Sequence, residues 1–168
     1  CFESYKTGVA VFSNNVASGE DRNATNISIR ANVFYEQFGV INTGIQTAQG
    51  VFVGCSAGDT YYPDGVTIEG NVFDHCGWLD PAVNPNAILN WFRHCGYVTN
   101  GCRNVTLQKN LLMRGDGCMM RSGGILDQNF MYNLYANVVG KGTDPEPGGV
   151  TVQFTNNVVL DSRDIYDN

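Results

Sequence analysis

Residues Asn71–Trp78 read NVFDHCGW, and Asn90–Tyr97 read NWFRHCGY. Five of the eight positions are identical across a step of 19, which raises the question of whether that step is a structural period. Beyond Asn90, the next matching asparagines are Asn110 and Asn129, giving steps of 19, 20 and 19. Two or three apolar residues follow each of them. Short alternating segments precede most, as in GVTIEGN (65–71), NVTLQKN (104–110) and GGILDQN (123–129). The same form occurs upstream in GVAVFSNNV (8–16), NISIRANVF (26–34) and GVFVG (50–54). Downstream it returns in GVTVQFTNNVV (149–159), after the insert KGTDPEPGG (141–149).

The segments alternate at period 2, between Gly, Asn and Asp punctuation, and show no 3.6-residue apolar spacing. A repeating unit of about 20 residues holding two or three short strands predicts one coil of a β-solenoid. The expected fold is therefore all-β: a right-handed parallel β-helix with coils of about 19–20 residues and loop inserts. A left-handed coil needs an apolar residue every six positions, and that rhythm is absent. An antiparallel sandwich is the alternative, but it does not explain a phrase repeated at constant spacing. Strands are predicted near 27–29, 66–69, 105–107 and 150–154. The one candidate helical turn is DPAVNPNAILNWF (80–92), with Asp80 as cap and Pro81 in the first turn. Stacked coils would align Asn71, Asn90, Asn110 and Asn129 in a ladder of paired amides.

At 168 residues the chain reads as one domain, 1–168. It carries a formal charge of −6 with only 15% charged residues, so nucleic acid is not an expected partner. No stretch has the apolar length of a membrane span. Cys1 stands where an initiator Met would, which suggests a processed or excised piece of a longer solenoid. Open solenoid ends would then meet neighbouring β-helix segments or other chains. Six cysteines suit an oxidising compartment, giving an expected location outside the cell or on a virion or cell surface.

In the 19-residue register His75 stacks on His94, and Arg114 follows in the same column. Phe73 and Phe92 form a stacked pair in the core. Cys76 and Cys95 are either buried thiols or a disulfide, and both readings stay open. Two His and two Cys have the chemistry to hold zinc, but copies that point in parallel do not converge. No metal and no cofactor are expected. Arg114, Asp116, Arg121, Asp74 and Arg93 lie within two coils of the histidines, in a chain otherwise poor in charge.

Strands of the form VTIxxNxF joined to GxYV or GCMM segments, with an asparagine ladder, resemble the right-handed parallel β-helix (pectin-lyase-like) superfamily. The resemblance runs from about residue 8 to 160 and implies the fold. It also implies a substrate class, since many members act on polysaccharides. The paired-Asp motif of polygalacturonases, the calcium-binding Asp clusters of pectate lyases and the Asp-Pro-His-Glu signature of uronan epimerases are absent. An acidic polysaccharide fits the candidate residues. Trp78, Trp91 and Tyr97 would stack on sugar faces, and Arg93 would bind there as well. His94, His75, Arg121, Arg114 and Asp116 would supply proton transfer and carboxylate binding. β-Elimination is favoured over hydrolysis, which needs two carboxylic acids across the bond. The alternative is a rod without catalysis, such as a tailspike-like shaft, an adhesin or a glycan-binding protein. Enzyme and rod both remain open at this point.

Overall fold

Alternating segments too short to stand alone gain stability only by pairing with their copies, and the structure shows that pairing throughout. The computed structural model describes residues 2–3, 7–13, 23–37, 49–55, 61–78, 94–99, 101–134, 138–139 and 151–162. In chain order the strands are β1 Phe2–Glu3, β2 Thr7–Ser13, β3 Ser28–Arg30, β4 Val33–Tyr35, β5 Gln49–Cys55, β6 Thr67–Glu69, β7 Val72–Asp74 and β8 Gly96–Val98. They continue with β9 Thr106–Gln108, β10 Leu111–Met113, β11 Cys118–Met120, β12 Gly124–Asp127, β13 Phe130–Tyr132, β14 Val138–Val139, β15 Val152–Thr155 and β16 Val158–Leu160.

Every pairing among them is parallel. The first sheet runs β1-β4-β7-β10-β13-β16, the second β2-β5-β8-β11-β14 and the third β3-β6-β9-β12-β15. The chain therefore visits three sheets in strict rotation. This all-β topology, with no helix among the described residues, is compatible with a β-solenoid and excludes the antiparallel sandwich. Four predicted strands are present, as Ser28–Arg30, Thr67–Glu69, Thr106–Gln108 and Val152–Thr155. The predicted helical turn at 80–92 lies outside the described residues.

Period-2 alternation sends every second side chain inward. Phe34, Phe73, Leu112 and Met131 form one buried column, and Ile29, Ile68, Leu107 and Leu126 a second. Val53, Val98 and Met120 form a third. The Phe34 and Phe73 rings stack with centroids 4.8 Å apart and planes at 10°. Gly50 makes room for this stack: a Cβ there would lie 2.5 Å from the Phe73 ring. Phe73 pairs with Phe34, and the expected partner Phe92 lies outside the described residues.

The corners are bent by left-handed residues that recur once per circuit. Ala31, Gly70, Lys109, Gln128 and Asn156 turn the chain from the third sheet to the first, and Glu36, His75, Arg114, Asn133 and Asp161 turn it out of the first, with φ between 51° and 64°. Half of these, Ala31, Glu36, Lys109, Arg114 and Gln128, are residues with no preference for positive φ. Cooperative backbone bonds hold them there: His75 N–H donates to Met113 O (3.2 Å) and Arg114 N–H to Tyr132 O (3.1 Å).

The asparagine ladder exists, but its period differs from the one predicted. Asn71 N–H donates to Asn110 Oδ1 (2.9 Å), Asn110 to Asn129 (3.0 Å) and Asn129 to Asn157 (2.8 Å), while Asn32 donates to Asn71 (2.9 Å). Each Nδ2 also returns to a backbone carbonyl, as from Asn110 to Ile68 O at 3.0 Å. Asn71 bonds Asn110 directly, and Asn90 lies outside the described residues. The steps are 39, 39, 19 and 28 residues, and only the Asn110–Asn129 circuit has the expected length. The others carry inserts at their corners.

Candidate functional site

The corrected register separates the two histidines. Phe73 pairs with Leu112 and Asp74 with Met113, so His75 sits at the corner one position after them, beside Arg114. Gly96 pairs instead with Cys118, which sets His94 against Asp116 at the start of the second sheet. His75 and His94 do not form a column. The repeated phrase marks the two ends of the insert between β7 and β8, and the next circuit's turn touches both. Asp116 N–H donates to Cys76 O (3.2 Å), and Cys95 N–H donates to Gly117 O (2.9 Å). A Cβ on Gly115 would lie 2.5 Å from Cys76 O and 3.3 Å from Cys95 Sγ, so only glycine fits between these ends.

Cys76, Cys95, Cys102 and Cys118 are buried free thiols, which settles the disulfide alternative for the first pair. Burial pushes the Cys95 thiol well above its ordinary value, aided by its contact with the Cys76 thiol. Burial likewise pushes Cys118 up to about 12. Both remain protonated and unreactive near neutrality.

Three groups of polar and aromatic side chains result. The first lies at the exposed corner. Arg114 Nε donates to Asp74 Oδ1 at 2.8 Å, and its Nη2 reaches Asp74 Oδ2, a bidentate pair. That pairing raises the Arg114 pKa. His75 Nδ1 lies 3.3 Å from Asp74 Oδ1 without a hydrogen bond. Trp78 Nε1–H donates to Arg114 O (2.6 Å), and its ring lies 6.2 Å from that of His75, with Tyr35 6.4 Å away on the other side.

The second group is a buried dyad. His94 Nδ1 lies 2.9 Å from Asp116 Oδ2, with both side chains almost wholly shielded. Asp116 Oδ1 accepts the Gly117 N–H at 3.0 Å. His94 Nε2 is buried and has no hydrogen-bond partner. An imidazole donating Nδ1–H to a carboxylate carries its lone pair on Nε2.

The third group is an aromatic strip on the outer face of the second sheet. Phe12 and Phe52 stack at 6.3 Å, Phe52 meets Tyr97 edge-on at 5.7 Å, and Tyr97 lies 5.4 Å from the His94 ring. Arg121 Nη1 donates to the Tyr97 hydroxyl at 3.1 Å. Gly54 leaves space for the Phe52 ring, which a Cβ there would approach to 2.6 Å. The strip leads directly to the dyad.

The structure thus brings Arg121 to Tyr97, His94 to Asp116, and His75 to Arg114 and Trp78, as three neighbouring groups and not one column. Trp91 and Arg93 lie outside the described residues. Phe12, Phe52 and Tyr35 were missed as candidates. For Phe52 the signal was present: in GVFVG the alternation that buries Val51 and Val53 must turn Phe52 outward. No family model, curated protein or solved structure matches the chain.

Proposed function

We propose that this chain is an extracellular, carbohydrate-active protein folded as a right-handed parallel β-helix of the pectin-lyase-like kind, acting on an acidic polysaccharide by β-elimination. The observation that carries the reading is the Arg121–Tyr97 hydrogen bond at the end of the aromatic strip. Right-handed crossovers are the rule between parallel strands of one sheet, which supports the handedness. Apolar sugar faces stack on Phe52 and Tyr97, while a guanidinium beside them takes a uronate carboxylate.

In that reading Arg121 neutralises the carboxylate and so acidifies the carbon next to it. Tyr97, entering the step as the phenolate with Arg121 as its counter-ion, takes the proton from that carbon and becomes the phenol. The C–H electron pair forms the new double bond, the glycosidic C–O bond breaks, and the leaving oxygen takes a proton from solvent. His94, oriented by Asp116, stands behind Tyr97 as the second proton acceptor. His75 and Trp78 extend the contact at the corner, where Arg114 is held by Asp74.

A second reading, a glycan-binding rod, is favoured by two observations. His94 Nε2 is shielded from solvent, and Arg114 and Asp74 satisfy one another. Incubation with a panel of uronate polymers, followed by ultraviolet absorbance, separates the two. A lyase produces an absorbing unsaturated product, and Tyr97→Phe lowers the rate by about 10²–10⁴-fold. Retention of a glycan with no product on any polymer favours the rod. A Tyr97→Phe variant as active as the parent removes Tyr97 from the chemistry.

A further inference from the structure

A strand with one solvated face alternates apolar and polar residues, whereas a strand covered on both faces reads as a continuous apolar run. The third sheet follows the first pattern: β6 is Thr-Ile-Glu and β9 is Thr-Leu-Gln. The first sheet follows the second pattern. Four of its six strands read Val-Phe-Tyr, Leu-Leu-Met, Phe-Met-Tyr and Val-Val-Leu, while β1 and β7 end in Glu3 and Asp74. The register aligns their outward residues in two columns: Val33, Val72, Leu111, Phe130 and Val158 in one, Tyr35, Asp74, Met113, Tyr132 and Leu160 in the other. Val33, Phe130, Tyr132, Val158 and Leu160 are 40–48% exposed.

We propose that this face is the surface through which two copies of the chain associate, sheet against sheet. Several observations favour a second copy over other occupants. Nine of these ten outward positions are apolar or tyrosine, and Asp74 is held by Arg114, so closing the face over β4, β7, β10, β13 and β16 leaves no unpaired charge; Glu3, in register with Tyr35 on the edge strand β1, continues the second column at the sheet's rim. Parallel in-register pairing makes the columns regular, and two such faces pack at about 10 Å, as sheets in a sandwich do. The face offers on the order of 500 Å², at the upper end for a monomer's largest patch. Two together reach the roughly 1,000 Å² of a specific interface.

Other occupants fit less well. A polysaccharide would find few hydrogen-bonding groups here beyond the Tyr35 and Tyr132 hydroxyls. An anionic lipid surface would meet a chain of net charge −6. The ionic side chains Arg30, Glu69 and Lys109 belong to the third sheet and its corner, where association leaves them in water.

The test is the mass of the full chain in solution by sedimentation equilibrium, with Phe130→Glu and Leu111→Glu on the face and Ser28→Glu on the third sheet. Area alone does not set affinity, and the proposal commits to a dissociation constant of order micromolar. The wild type and Ser28→Glu are expected to double in mass over tens of micromolar, while both face variants stay monomeric with unchanged circular dichroism. Phe130→Ser, which adds no charge, replaces any Glu variant that fails to fold. A wild type that stays monomeric over that range, or face variants that associate as the wild type does, overturns the proposal. Vesicle or glycan binding that is lost in Phe130→Glu while the wild type remains monomeric also overturns it, and assigns the face to that ligand.

Discussion

The first and third sheets share one interior and have opposite exteriors. Inside, Phe73 and Leu112 stack on one wall as Ile68 and Leu107 do on the other, all fully buried. Outside, the first sheet shows Val72, Leu111 and Phe130, whereas the third shows Thr67, Thr106 and a charged column in which Arg30 and Lys109 both contact Glu69, at 3.1 Å each. The inward half of the alternation is therefore a statement about folding, and the outward half is a statement about surroundings. A solvated wall needs threonine and charge, and a wall of valine, leucine and phenylalanine needs a cover.

The sharpest way to break that division is to cut the same ring on either side. Phe73→Ala should cost about 3–5 kcal/mol, because it removes a buried ring and leaves a cavity beneath Phe34. Phe130→Ala, at a concentration too low for association, should stay within about 1 kcal/mol. Denaturant midpoints compare the two directly. Similar losses would mean that the outer face of the first sheet belongs to the folding core.

A smaller effect tests the polar wall. Hydrogen bonds from Asn156, Gln128 and Thr155 hold the Asp127 carboxyl below its usual range, and the bond from Lys109 does the same for Glu69. A folded-state pKa below the unfolded value gives stability that is present above the unfolded pKa and lost as pH falls through the folded one. Thermal stability should therefore fall modestly below about pH 4, and Asp127→Asn should show a flatter acid dependence than the parent. An unchanged profile would mean that solvent screens these contacts fully.

The sequence disclosed the strands because alternation needs only neighbours: GVTIEGN and NVTLQKN contain the strands Thr67–Glu69 and Thr106–Gln108. It also disclosed a ladder, in which Asn71, Asn110 and Asn129 stand as expected. The register was not legible. Asn71–Trp78 and Asn90–Tyr97 look like copies of one coil, yet His75 ends the first sheet and His94 begins the second, at the two ends of an insert. Similar residues recur there because both ends pack against one turn, Gly115–Gly117, and no local pattern distinguishes that from stacking. The left-handed corners were hidden for a related reason. Ala31, Lys109 and Gln128 carry no preference for positive φ, and the bonds that hold them come from the circuits on either side. For the site, Arg121 and Tyr97 were visible as residue types, but their contact across 24 positions was not.

Two arginines offer the most direct test of the functional account, since Arg114 is occupied by Asp74 and Arg121 is set against Tyr97 on the aromatic strip. Titration calorimetry with uronate oligosaccharides measures what the lyase and the rod have in common. Arg121→Ala should weaken binding by at least about tenfold, the loss of one charge-assisted contact, while Arg114→Ala should lower stability and leave affinity within about twofold. Equal affinity in the Arg121→Ala variant and the parent, or no binding by the parent to any acidic glycan, would contradict the account.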